Sequence, residues 1–257
     1  MKINNIDMKK ILCFSALLIL MTSSMKAQFV ESGEIIFEVK TNIKKTMGNS
    51  SWAEAMKDKL PAFKTTYFKY SFAGNKSDYQ FDHWENKEAI PEFLRQSDEK
   101  TTWSGNFSTG EFSKTADVFG STFSIRDSFP KIEWMLSNEN RVIAGYNCRK
   151  ATGKIMDSVY VFAFYTDEIV IPGGPCTING LPGMILGMTI PRLYTSWIAT
   201  EVKSSQPVFK QPASAKNIFT FKTAAVTIRE KTKDWGGNDD DPESKKWLEQ
   251  MVWNLLL

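Results

Sequence analysis

Apolar and polar positions alternate along most of this chain, and two stretches switch to helical spacing. From Gly33 to Lys40 the residues Ile35, Phe37 and Val39 share one face while Glu34, Glu38 and Lys40 fall mostly on the other, the pattern of a half-buried strand. The aromatic-rich runs Tyr67–Phe72 and Ser77–Trp84 flank Gly74-Asn75 and predict a β-hairpin. Trp103 to Arg126 stays strand-like but is interrupted by Gly105, Gly110 and Gly120. Val142–Lys150 and Ile155–Tyr165, separated by Thr152-Gly153, add two strands, and Val159–Tyr165 is apolar on both faces, as a strand buried on both sides would be. Met184–Ile190 and Ser196–Lys203 continue the series around Pro191-Arg192. The helical exceptions are 51 to 60, opened by the capping-box spacing Ser51-Trp-Ala-Glu54 and stopped by Pro61, and a C-terminal amphipathic helix. There Asp241 caps, Pro242 takes the first position, and Trp247, Leu248, Met251, Val252 and Leu255 form one side.

Strands at short intervals joined by turns predict an α+β, mainly β fold. The expectation is one antiparallel sheet with a short N-terminal and a C-terminal amphipathic helix packed on it. Residues 28 to 257 read as a single domain. The stretch Ser204–Ala215, with Pro207 and Pro212, is a loop within it, and no repeat of fixed period is present.

The first 27 residues carry an address. Lys2, Lys9 and Lys10 precede an apolar run from Ile11 to Met21, and small or polar residues end at Ala27-Gln28. A run of eleven is about half of what a spanning helix needs. Cys13 lies too early to be a lipoprotein's acylated cysteine. The chain is therefore expected to be exported by a cleaved signal and to be periplasmic or outer-membrane associated, with no membrane span in the mature part. That segment also accounts for the net charge of +3: without it, 28 Lys and Arg face 28 Asp and Glu. A neutral mature chain without a basic stripe is not a nucleic-acid binder.

Of three cysteines, Cys148 and Cys176 outlast the signal. In an oxidising compartment the pair predicts a disulfide; two separately buried thiols are the alternative. Chemistry is otherwise scarce. His83 is the single histidine, in the phase of Tyr79 and Phe81 on a predicted strand, and no Gly-x-Ser-x-Gly elbow accompanies it. No Walker loop, Gly-x-Gly-x-x-Gly or zinc spacing occurs, so no cofactor or metal is expected. Asp239, Asp240, Asp241 and Glu243 suit a helix N-terminus better than an EF-hand. The unusual segment is Ile171-Pro-Gly-Gly-Pro-Cys-Thr-Ile-Asn-Gly-Leu-Pro-Gly183, four glycines and three prolines in thirteen residues. It is either a corner of the sheet or a rigid loop presenting a surface.

Gly180-Leu-Pro-Gly-Met-Ile185 resembles the hexapeptide of the GLPGLI family, with Met184 in place of leucine. Ala144-Gly-Tyr-Asn-Cys-Arg-Lys-Ala151 resembles that family's Gly-Tyr-x-Cys-x-Lys-Ala element. Phe164-Tyr-Thr-Asp-Glu-Ile169 followed by Gly174-Pro175 resembles its Trp-Tyr-Thr-x-Glu-Ile and Gly-Pro stretch, with Phe164 where tryptophan is common. Cys176 is not a regular family feature. The resemblance implies an exported envelope protein of Gram-negative bacteria without an established activity, whose partner is an outer-membrane receptor or an apolar envelope ligand. The strand order is also similar to the open half-barrel of periplasmic lipoprotein carriers. Two functions follow. One is a non-enzymatic binding or accessory protein using a concave sheet face with Phe68, Tyr70, Phe72, Phe162 and Phe164, joined by Tyr165, Leu181, Pro182 and Gly183. The other is a hydrolase using Asp167 and Glu168, which adjacency on a strand would turn to opposite faces.

Overall fold

The structure is a computed structural model and describes residues 29–46, 54–56, 58–118, 120–156, 158–209, 217–232, 245, 248–250, 252–253 and 257. The expected export signal and the acidic cluster 239–243 lie outside the described residues. So does most of the C-terminal helix, which is helical at its six described positions before Leu257. Of the helix expected over 51–60, residues 54–56 are helical, whereas 58–60 form a turn and bend instead.

Among the described residues, twelve strands form one sheet. They are β1 (Ser32–Asn42), β2 (Phe63–Ala73), β3 (Lys76–Trp84), β4 (Thr102–Asn106), β5 (Glu111–Val118), β6 (Ser121–Ser128), β7 (Met135–Ile143), β8 (Tyr146–Ile155), β9 (Val159–Thr166), β10 (Met184–Ile190), β11 (Thr195–Ser204) and the short β12 (Ile218–Phe219). Their spatial order is β12-β6-β5-β4-β3-β2-β1-β11-β10-β9-β8-β7, antiparallel except for β12 beside β6, and the sheet stays open rather than closing into a barrel. Two wings of consecutive hairpins, β2–β6 and β7–β11, therefore meet on either side of β1. The helices that accompany them include α1 (Ile43–Thr46), α2 (Glu92–Lys100) and α3 (Phe221–Thr232). Among the described residues no helix is long and apolar enough to cross a membrane.

The alternation expected in β1 is present, with Ile35, Phe37 and Val39 buried, and the β2–β3 hairpin turns at Gly74-Asn75. Between Val142 and Lys150 the structure differs from the expectation: this is not one strand but the β7–β8 hairpin, turning at Ala144 and Gly145, both at positive φ. The expected break at Thr152-Gly153 lies inside β8. A Cβ on Gly153 would sit 2.8 Å from the Trp134 ring, so the glycine admits the indole rather than turning the chain. Helix α2 has no side-chain cap and is held from outside: Lys64 and Thr66 of β2 donate to Asp98, and Trp84 Nε1 donates to Glu99. Helix α3 begins at a reciprocal pair in which Thr220 N donates to Thr223 Oγ1 and Thr223 N to Thr220 Oγ1.

Register divides the sheet into two faces. Ile35, Tyr70, Tyr79, Trp103, Lys114 and Ile125 are successive cross-strand partners from β1 to β6 and form one row on the concave face. Met188, Trp197 and Val39 continue that face across the seam. Glu38, Ile198, Gly187 and Phe164 are partners on the convex face, where Ile143 packs over Gly187. This geometry corrects the expected disulfide. Cys148 alternates with Arg149, the partner of Tyr165, and so lies on the convex side of β8; Cys176 sits in the concavity beside Lys114. Both are free thiols. The sheet itself separates them.

Candidate functional site

Two segments cover the concave face. Across β8–β10 and the seam runs the loop 167–183, which buries Ile169, Ile171, Ile178 and Leu181. Its backbone is tied to the sheet by Met184 N to Ile169 O at 3.1 Å and Ile185 N to Gly173 O at 2.9 Å, and Trp134 Nε1 donates to Asn179 O at 3.0 Å. Gly183 has φ +138, and a Cβ there would sit 2.0 Å from Thr166 O, so glycine is obligatory. Over β5–β6 lies α3, whose Ala224, Ala225 and Ile228 cluster with Phe112, Phe123 and Ile125.

Between these covers a cavity of about 270 Å³ remains open. Phe68, Tyr79, Trp103, Trp197 and Val39 supply its apolar wall, α1 contributes Ile43 and Thr46, and α2 contributes Leu94, Ser97 and Asp98. Lys114 and Cys176 stand among the aromatics, and Thr41, Thr101, Thr195 and Leu257 also line the space. Lys114 is 2% exposed, with Nζ 4.6 Å from the centre of the Trp103 ring. Burial lowers its ammonium to about 8, partly offset by the neighbouring Cys176. Cys176 adopts φ +60, a left-handed conformation uncommon outside glycine, and burial pushes its thiol up to about 12 against the pull of Lys114. It is therefore a neutral thiol at physiological pH. Trp103 Nε1 is buried without a hydrogen-bond partner among the described residues. A void of about 10 Å³, the size of a single water, adjoins the cavity behind Tyr79, Trp103 and Cys176. At the rim Lys64 and Asp98 are paired at 2.7 Å.

The residues singled out in the sequence do not form one surface. Phe68, Tyr70 and Phe72 lie on the concave face as expected, and Tyr165 and Leu181 are buried in the core. Phe162 and Phe164 lie on the convex face, under Lys150 and Arg141 at 6.0 and 4.6 Å from their ring centres. Pro182 is exposed. Asp167 and Glu168 are exposed in the turn after β9, outside the cavity. His83 stacks on Tyr67 at 4.3 Å on the outer side and lies 2.7 Å from Asp82. A register shift between Tyr67 and Phe68 gives the buried position to Trp84 instead. Sequence reasoning misses Lys114 although a signal exists: it occupies the phase of Phe112 and Ala116, where a strand with one buried face places apolar residues.

No family model matches the chain, and no curated protein does. Among solved structures it is similar to PNGF-II in a C2 and in a P21 crystal form, each at 18% identity and a TM-score of 0.49 over 74% of this chain. The match spans 30% and 31% of those longer chains. An uncharacterized conserved protein from Thermus thermophilus is similar at 7% identity and a TM-score of 0.39, covering 80% of this chain and 99% of that one. Likenesses at this level carry no conclusion about activity.

Proposed function

We propose that this protein is an exported envelope binding protein that holds a small apolar ligand in the concavity of its open sheet. The cavity carries the reading: an aromatic-walled space with a few inward polar groups is the usual form of a small-molecule site. The export pattern of residues 1–27 and the resemblance to the GLPGLI family support a periplasmic or outer-membrane-associated location, with an outer-membrane receptor as the partner that would receive or supply the ligand.

Titration with 1-N-phenylnaphthylamine tests binding. The dye's emission should rise on mixing, and Ala116→Leu, which places extra methylene groups in the cavity wall, should weaken dye binding at least tenfold. No rise in emission, or full binding by a folded Ala116→Leu protein, would overturn the reading. N-terminal sequencing of envelope fractions should find a chain beginning near Gln28; an intact Met1 or a lipidated terminus would refute soluble export.

A further inference from the structure

Without its first 27 residues the chain carries equal numbers of basic and acidic residues, yet four of its cations gather at one end of the sheet. Two short segments meet there, 40–46 at the end of β1 and in α1, and 191–195 leading into β11, joined by Asn42 N donating to Tyr194 O at 3.0 Å. Their inward side chains Thr41, Ile43, Thr46, Leu193 and Thr195 line the cavity. Between these positions stand Lys40, Lys44, Lys45, Arg192 and Tyr194, all exposed except the half-buried Lys44. Phe63, the register partner of Asn42, is exposed beside them. Each of the two exposed rings has an ammonium over it: Lys40 Nζ is 5.0 Å from the centre of Phe63, and Lys45 Nζ 5.6 Å from that of Tyr194. Among the described residues none of Lys40, Lys44, Lys45 and Arg192 forms an ion pair. The carboxylates of the neighbouring segments are largely engaged. Asp98 holds Lys64 at 2.7 Å, Glu38 accepts from the Tyr67 hydroxyl at 3.3 Å, and Glu54 has an interaction of its own, so Asp58 remains against four cations.

Basic side chains interleaved with exposed aromatic rings suit a membrane–water interface, where the rings enter the headgroup layer and the cations meet phosphates. A fluid layer of phosphates needs no fixed register with four long, flexible side chains, whereas an acidic protein partner would have to match each of them. We propose that this end of the sheet docks on a bilayer surface rich in anionic phospholipid, with Lys40, Lys44, Lys45 and Arg192 over the phosphates and Phe63 and Tyr194 in the headgroup layer. The docking goes beyond the binding function proposed above and does not depend on what the cavity holds, since it uses the outward positions of the two segments. It also brings the cavity lining within one residue of the lipid, because inward and outward side chains alternate there.

Co-sedimentation of the exported protein, recovered from envelope fractions, with vesicles of phosphatidylcholine alone or equimolar with phosphatidylglycerol tests the docking. Binding is expected to the mixed vesicles only, and it should weaken steeply as salt is raised. A basic side chain near an anionic surface is worth about fivefold in partition, so Lys44→Glu with Lys45→Glu should weaken binding at least tenfold, and Lys40→Glu alone at least about fivefold. Arg149→Glu with Lys154→Glu, the same change of charge at exposed positions of β8, should leave binding within about twofold. Phe63→Ser should weaken binding by a factor that persists at high salt, as loss of an inserted ring would. Titration of every variant with 1-N-phenylnaphthylamine should match the wild-type protein, which identifies the variants that are folded. Equal binding to both vesicles, binding to neither, or an equal loss in the Arg149 and Lys154 pair would overturn the docking and leave the cavity reading standing. Vesicle binding as expected without any dye binding would overturn the cavity reading and leave the docking in place.

Discussion

The two parts of the concave face are built on opposite principles. Under β8–β10 the chain closes its own concavity: loop 167–183 fills the space with Ile169, Ile171, Ile178 and Leu181 and approaches so closely that Gly183 has no room for a methyl group. Under β2–β5 a similar aromatic wall is left facing a cavity, and a lysine stands in it. Close packing marks a part of the sheet whose only task is to hold together. A retained void gives up packing contacts, so this part of the sheet is not built for cohesion alone.

That contrast predicts unequal responses to substitution. Gly183→Val should be the most damaging change, about 4 kcal/mol or more, from strain at φ +138 (~1–3 kcal/mol) and overpacking against Thr166 O (~1–3 kcal/mol). Chemical denaturation would show it; a loss under about 1 kcal/mol would mean that the loop is not the close-packed cover described. Leu181→Ala should follow at roughly 2–5 kcal/mol, since the side chain is 2% exposed in the main core, with dye binding retained by the folded fraction.

The open half should answer to pH. Burial lowers Lys114 from an ordinary 10.5 to about 8. The pH dependence follows. Between about 8 and 10.5 the unfolded chain still holds the proton that the folded chain has released, so this group's contribution to stability rises with pH across that window. The stability of the wild-type protein relative to Lys114→Met, followed by chemical denaturation, should therefore rise from about pH 8 towards pH 10.5. A relative stability that stays flat or falls across that window would overturn the account of Lys114 as a buried cation. The smallest effect expected is none: a reducing agent should leave the melting temperature unchanged. Both Cys148 and Cys176 should be alkylated on unfolding without reduction, because they lie on opposite faces of the sheet.

What is legible in the sequence is the material of the sheet. Alternation in β1 and the aromatic runs of β2 and β3 report a local property, one face wet and one dry, and local properties survive in a one-dimensional reading. Three things do not. Gly153 reads as punctuation because a glycine that admits Trp134 looks the same in sequence as one that turns the chain. Helix α2 has no broad apolar stripe, and the bonds from Lys64, Thr66 and Trp84 that hold it come from residues distant in sequence. Count and compartment pair Cys148 with Cys176, but neither says anything of the face on which a side chain emerges. In the site, the aromatics of β2 and β3 are visible from sequence, whereas Phe162 and Phe164 emerge on the side opposite to the one expected of them. Lys114 escapes notice because a lysine on a strand reads as solvent-facing until its register is known.

The position of β1 sets the order in which the molecule can assemble. It is the first of the twelve strands to leave the ribosome, yet it lies at the middle of the sheet, and its pairing with β11 brings Thr200 Oγ1 to Ile36 O across 164 positions. Each wing consists of neighbouring hairpins and can zip locally, but the seam must wait for almost the whole chain. Because closure entropy grows only logarithmically with loop length, the delay appears in the rate of folding far more than in final stability. Until β11 arrives, one edge of β1 stands unpaired beside Ile35, Phe37 and Val39, an invitation to pair with another copy of the chain. Keeping that edge occupied or separated during synthesis is thus a requirement that the finished structure no longer displays.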